Sequence, residues 1–253
     1  MANPLTMKLE QFTSFSASDR VRLDQIAATD HRTWAARRDI IRVGRHLEQI
    51  HLVVSGLAIR NKIMPDGKRQ IMAFLIPGDL CDVEVFVLGE MDHAISALSE
   101  TTCARIPAGE VKELLTEMQG LTQALWWSTM TDAAVLRERI IDFGQRDARE
   151  RLAHLFYEML IRYRMIGLAE NNSYSFPVTQ EDLADATGMT PVHTNRTLQV
   201  LRANGLIEFS GKVLVVKDAP ALKRLARFSP EYLHLRETQA SAEHVMERVG
   251  DLV

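Results

Sequence analysis

The stretch over residues 178–216 constrains this chain most. Thr179 precedes Asp182 by three positions, a capping-box spacing with Asp in place of Glu, which opens a helix at Gln180. Leu183 and Ala184 form its buried side, and Ala186 lets a second helix approach closely. Gly188 falls where a tight turn needs a residue without Cβ. Thr190 caps a second helix, and Pro191 at its first position loses nothing by lacking an N–H. In that helix Val192, Leu198 and Leu201 are expected to be partly buried, which leaves His193, Asn195, Arg196 and Gln199 on other faces. Residues 204–209 and 213–216 flank Ser210-Gly211-Lys212 and read as two short strands around a glycine turn.

Helix, turn, helix and hairpin in this order make a winged helix-turn-helix. The second helix of such a unit fits the major groove of double-stranded DNA, with the side chains near its start at base edges. The expected DNA-contacting set is Thr179, Gln180, Thr190, Pro191, Val192, His193, Asn195, Arg196 and Gln199, with Lys212 of the wing, helped by Lys217, on phosphates. The same arrangement also mediates protein contacts. A second reading is therefore a small-molecule-sensing or interaction module that regulates a protein partner without DNA, and salt-dependent DNA binding separates the two.

Charge favours DNA. Residues 146–228 hold 12 Lys and Arg against 9 Asp and Glu, a surplus of +3. The whole chain has 30 Lys and Arg against 33 Asp and Glu, so the remainder carries −6. A bulk polycation is excluded; a protein with one basic face is not. With 46% hydrophobic and 25% charged residues, a disordered or fibrous chain is excluded too. Cys81 and Cys103 lack a CxxC spacing, which rules out a zinc ribbon or a thioredoxin-type motif. A chain of 253 residues builds a core without a disulfide, so a reducing, cytoplasmic location is expected. No apolar run approaches the ~20 residues of a membrane span, and the first residues lack a signal-peptide core. No membrane partner is expected.

Upstream of the motif the texture changes twice. Residues 1–36 carry short helical patterns, with Leu23, Ile26 and Ala27 on one face. Residues 38–108 read as short strands that stop at Gly44, at Ser55-Gly56, at the hairpin signal Pro65-Asp66-Gly67-Lys68 and at Pro77-Gly78-Asp79. Strands at this spacing predict an antiparallel sandwich or barrel. From Glu110 the period turns helical. Trp126, Thr129, Ala133, Leu136, Ile140 and Phe143 recur at intervals of 3, 4, 3, 4 and 3, an a/d-type seam where two helices meet side by side. Trp127, Met130, Ala134 and Ile141 form an adjacent stripe. One stripe is expected to face a second copy and the other the strand domain; packing of both into a monomeric core is the alternative. Gly144 reads as a hinge, followed by a helix from about Arg146 to Gly167 and a loop at Asn171-Asn172-Ser173. A helical tail follows, with Tyr232, Leu233, Leu235, Val245, Met246 and Val249.

The expected class is α+β. It comprises an antiparallel, jelly-roll-like β-roll with N-terminal helices at 1–108 and a long central dimerisation helix at 109–144. A winged helix-turn-helix at 145–228 and a helical extension at 229–253 complete it.

Taken together, these motifs resemble those of the Crp/Fnr family of bacterial transcription regulators over nearly the whole chain. The resemblance is carried by Leu52-Val53-Val54-Ser55-Gly56-Leu57-Ala58, by Asp66-Gly67-Lys68 and Gly78-Asp79, by the seam helix, by residues 145–153 and, most specifically, by residues 178–201. It implies a homodimer that binds palindromic promoter DNA and contacts RNA polymerase, with a cyclic-nucleotide-binding-like sensor and no enzymatic activity. Two departures matter. Many members carry a glutamate two residues beyond the position of Thr190, where this chain has Val192; the family's arginine is present as Arg196. The operator therefore differs from the usual one.

The second departure is in the sensor. Cyclic-nucleotide-binding members follow the Gly-Asp turn with a glutamate for the ribose and an Arg-Ser pair for the phosphate. Here the tentative effector pocket is Cys81, Asp82, Val83, Glu84 and His93. No Lys or Arg lies between Arg69 and Arg105, while Asp79, Asp82, Glu84, Glu90, Asp92 and Glu100 do. A cyclic phosphate buried among carboxylates without a cation is strongly disfavoured, so cyclic AMP is not expected. Residues 1–40 hold no cysteine, so the family's iron–sulfur cluster is not expected either. His93 has no second histidine at ligand spacing, and no metal is predicted. Haem through His46, His51 or His93 lacks support, and the effector is left unassigned.

Overall fold

Capping and turn residues set the first elements. Asn3 caps α1 (Pro4–Leu9), and a Ser16–Asp19 capping box opens α2 (Ala17–Ala27). In this computed structural model residues 3–83 and 88–235 are described. Among them seven strands follow: β1 (His31–Trp34), β2 (Asp39–Ile41), β3 (Gln49–Ser55), β4 (Ala58–Ile63), β5 (Arg69–Leu75), β6 (Ala94–Ala97) and β7 (Thr101–Pro107). They pair antiparallel in two sheets, ordered β1-β7-β3 and β2-β6-β4-β5. Strand alternation sorts the side chains. Val53 and Cys103 join Trp34, Ile41, Leu75 and Ile95 between the sheets. Ile50, Leu52, Ala104 and Ile106 face outward, where Leu5, Leu9, Leu23 and Ile26 of α1 and α2 cover them.

Two glycines are required by close approach. At Gly56, with φ +90°, a Cβ would lie 2.3 Å from the carbonyl oxygen of Glu100; at Gly78, with φ +91°, it would lie 2.7 Å from that of Pro4. The second contact seats α1 on the Gly78-Asp79 turn.

Helix α3 (Ala108–Glu117) stops at Met118, which leaves helical geometry before α4 (Gln119–Gln145) begins. At ~1.5 Å per residue α4 is about 40 Å long. Gly144 lies inside its last turn, so the expected hinge there is corrected: the chain leaves the helix at Arg146, in extended conformation. Asp147 then opens α5 (Ala148–Met165) with a capping box to Glu150, which supplies the break with its own hydrogen bonds. Strand β8 (Ser173–Ser175), α6 (Gln180–Thr187), α7 (Pro191–Ala203), β9 (Ile207–Ser210), β10 (Val213–Val216) and α8 (Ala219–Leu225) follow. The wing is three-stranded, ordered β8-β10-β9, so part of the expected loop at 171–173 is strand. A 3₁₀ turn at Pro230–Leu233 packs Leu233 into the core. Val245, Met246 and Val249 of the expected extension lie outside the described residues.

The C-terminal core does not stop at the strand domain. Ile59, Ile71, Phe74 and Ile76 belong to the same buried cluster as Leu152, Phe156, Leu160, Leu198 and Leu214. Phe74 meets Phe176 edge to face at 5.2 Å. Buried ion pairs run alongside. Lys8 and Arg162 both reach Asp79, at 2.8 and 2.7 Å; Arg139 of α4 bridges Glu158 of α5 and Asp142, at 2.8 and 2.9 Å; Arg146 closes on Asp142 at 2.8 Å. His154 sits in this network with both ring nitrogens buried and without hydrogen bonds. Burial, then Arg139 and Arg146, push it down to about 2, so the ring is neutral.

Candidate nucleic-acid interface

The turn between α6 and α7 is built from local rules. The Thr179 hydroxyl accepts from the N–H of Asp182, and the Asp182 carboxylate accepts from the N–H of Thr179, completing the capping box. Gly188 adopts the left-handed conformation at φ +65° and ends α6. Thr190 accepts from the N–H of His193 at 3.2 Å, and Pro191 occupies the first position of α7.

Helix α7 buries Thr194, Thr197, Leu198 and Leu201. Val192 is not among them. It is 64% exposed, so its expected partial burial is corrected: it shares the outer face with His193, Arg196 and Gln199. The reason is angular, because Val192 lies about 200° around the helix from Thr194. Thr179, Gln180, Thr190 and Pro191 are exposed beside that face, and Asn195 is half-buried. Lys212 is exposed at the wing tip with φ +67°. Lys217, also expected to reach phosphate, pairs with Glu208 at 3.2 Å. Arg196 has no hydrogen-bond or ion-pair partner among the described residues, so its guanidinium is available to a ligand.

The opposite side of the unit is held. Asp182, fully buried, accepts from both Arg37 terminal nitrogens at 2.5 and 2.7 Å and from Arg69 at 2.6 Å. Arg69 also reaches Asp185 at 2.8 Å, and the Gln70 amide donates to the Asp185 carbonyl at 2.6 Å. These contacts tie α6 to the loop after β1 and to β5. In the sequence Asp182 reads only as a cap, and its arginine partners lie 145 and 113 positions away.

On α4 the seam is exposed from end to end. Trp126 is 65% and Ile140 70% exposed, and Thr129, Ala133, Leu136 and Phe143 are exposed with them. The adjacent stripe divides: Ala134 is buried and Trp127 meets Phe12 at 5.9 Å, whereas Met130 and Ile141 extend the exposed face.

The tentative effector residues that are described are held by their own partners. Asp82 is buried and takes two hydrogen bonds from His51, each 2.8 Å. Cys81 is buried; a hydrogen bond with Cys103 and desolvation raise its thiol well above the ordinary range, which keeps it protonated and unreactive. Val83 and His93 are half-buried, and His93 bonds to Asp92 at 2.6 Å. Glu84 lies outside the described residues.

Comparison with known proteins agrees with this layout. Residues 31–118 match the cyclic nucleotide-binding domain, and residues 150–225 match the Crp-like helix-turn-helix domain. The chain is 28% identical over 180 residues to the nitrogen fixation regulation protein FixK of Azorhizobium caulinodans, covering 70% of this chain and 71% of that one. It is 26% identical over 191 residues to the transcriptional activator protein FnrL of Cereibacter sphaeroides, covering 74% and 75%. The structure of FixK2 from Bradyrhizobium japonicum superposes with a TM-score of 0.70 at 24% identity, over 79% of this chain and 98% of that one. The order of sheets, long helix and capped helix-turn-helix, matched by both domain families, makes this chain a member of the Crp/Fnr family of transcription regulators.

Proposed function

We propose that the protein acts as a homodimer on palindromic promoter DNA, with α7 of each copy in the major groove. The single observation that carries this reading is the outward face of α7. There Val192, His193, Arg196 and Gln199 stand clear of the core, flanked by Thr190 and the wing Lys212. An unpaired Arg reads guanine through two hydrogen bonds, and Val192 offers an apolar contact to a thymine methyl. The exposed seam on α4 supports pairing, since a contiguous apolar stripe on a 27-residue helix is costly in water. Two copies joined there present their reading helices to half-sites about one helical turn, ~34 Å, apart. RNA polymerase is the further partner and the cytoplasm the location. Arg60 favours a sensor that does not take cyclic AMP: it already donates to Asp132 of α4 at 2.9 Å and to the carbonyls of Leu80 and Cys81, at 3.2 and 3.4 Å.

The test is fluorescence anisotropy on an operator selected from genomic DNA. Affinity is expected to fall steeply with salt as phosphate contacts release counterions. Trp126→Asp is expected to yield monomers by analytical ultracentrifugation and to lose tight operator binding. Retained tight binding by that variant refutes the seam assignment; salt-independent or sequence-blind binding refutes the DNA reading.

A further inference from the structure

The strand domain carries a second feature that DNA reading leaves unused: an open cleft of about 630 Å³ between β1, β2, the loop at 42–48 and β3. Four arginines line it, Arg32, Arg42, Arg45 and Arg105, against two carboxylates, Asp39 and Glu48. Arg42 is spoken for by Asp39 and one Arg105 nitrogen by Asp30. Among the described residues Arg32 has only the face of Trp34, 5.0 Å from guanidinium carbon to ring centroid. Arg45 has no carboxylate partner among the described residues, and the Arg105 Nε is buried without a hydrogen bond. Unneutralised guanidinium groups on a concave wall are a receptor for anionic oxygens.

His51 adds a built element. It is nearly buried, lines the cleft, and meets Trp34 at 6.1 Å. Its Nδ1 is 2.8 Å from Oδ2 of the fully buried Asp82. An ionised carboxylate only accepts, so Nδ1 carries a proton, and in the neutral ring Nε2 is an acceptor. The cleft thus pairs several cationic donors with one oriented acceptor. We propose that it binds a small polyanion bearing a hydroxyl group, a hydroxylated polycarboxylate or a sugar phosphate: the arginines hold the charged oxygens and His51 Nε2 accepts from the hydroxyl.

The site is separate from the face of α7 and from Cys81, Val83 and His93 of the tentative effector set, although Asp82 stands behind it. A short relay joins it to the central helix. Asp82 follows Cys81, whose carbonyl, with that of Leu80, accepts from Arg60, and Arg60 donates to Asp132 of α4.

Isothermal titration calorimetry on the full chain tests the proposal with citrate and glucose 6-phosphate in roughly physiological salt. Saturable binding of at least one is expected, and which one binds identifies the anion source. Arg32→Ala combined with Arg45→Ala, both exposed positions, is expected to weaken it at least tenfold while melting temperature and operator affinity stay as in the parent. Tricarballylate, which is citrate without the hydroxyl, is expected to bind at least tenfold more weakly than citrate if citrate is the ligand. Absence of saturable binding by both probes up to about 10 mM, or equal affinity in the double variant, overturns the site.

Discussion

Asp182 governs how the reading domain is held, and its replacement by Asn measures that directly. The side chain is fully buried and accepts five hydrogen bonds, three from Arg37 and Arg69 and two from Thr179. Burial pushes the carboxyl up, and the bonds from Arg37, Thr179 and Arg69 more than reverse it, leaving it at about 2 against an ordinary 3.8. At about 1.4 kcal/mol per pH unit this depression is worth about 2–3 kcal/mol. Removing one partner of a buried ion pair costs about 3–5 kcal/mol, and the lower end applies here because Arg37, 44% exposed, returns to water. Asp182→Asn is therefore expected to destabilise the protein by about 2–3 kcal/mol. For a chain of this length that lowers the melting temperature by about 4–12 °C in scanning calorimetry at fixed protein concentration. Loss of the helix cap alone costs about 1 kcal/mol, so Arg37→Gln, which leaves the cap intact, separates clamp from cap. Because the folded carboxyl lies below its unfolded value, its stabilisation is complete above about pH 4 and is lost as the pH falls toward 2. The difference between parent and variant shrinks over that window. A melting temperature within 2 °C of the parent at neutral pH, or a full-sized loss in Asp182→Asn with none in Arg37→Gln, refutes the clamp.

Three further outcomes are expected. Arg196→Ala costs about 1–3 kcal/mol of operator affinity and relaxes preference at one base pair of each half-site, read by binding-site selection; an unchanged sequence profile counts against base reading. His154→Leu removes a pH dependence: the folded ring stays neutral down to about 2 while the unfolded one takes a proton near 6.5, so the parent loses up to about 1.4 kcal/mol per pH unit below pH 6.5. Denaturation at pH 7 and 5.5 checks this, and parallel curves for both proteins contradict it. Gly78→Ala places a Cβ 2.7 Å from the Pro4 carbonyl in a left-handed backbone, and is expected to cost more than about 1 kcal/mol and to loosen α1 by hydrogen exchange.

The helix-turn-helix was legible because every signal in it is local. Cap, capping partner, turn glycine and Pro191 all fall within thirteen positions, and each states its own geometry. The seam on α4 was legible because a single period runs through 18 residues. Strand β1 was not, since three of its four residues are exposed and no alternation marks it. Val192 is apolar yet faces outward, because helical angle and not residue type decides burial; the buried face of α7 is half threonine. Gly144 suggests a break by residue type, whereas the break is made by the capping box at Asp147. The sensor wall was beyond reach for another reason. Arg32 and Arg45 come from different strands and loops, and their joint placement depends on sheet pairing between β1, β7 and β3.

These placements give the strand domain two grips on the helix-turn-helix domain, neither on the outward face of α7. One is the pair of arginines on Asp182 and Asp185; the other is the shared core with the Asp79–Arg162–Glu158 ion pairs. Both act on α5 and α6, which support α7 without carrying the side chains proposed to read bases. A displacement of β5 shifts Arg69, Gln70 and Phe74 together, and these residues contact α6 and the core beneath α7. Because packed interiors deform little, such a shift re-aims the reading helix as a rigid unit rather than distorting it. In the proposed dimer, the spacing of the two helices, and not the chemistry of either, is then the quantity that a change in the strand domain alters.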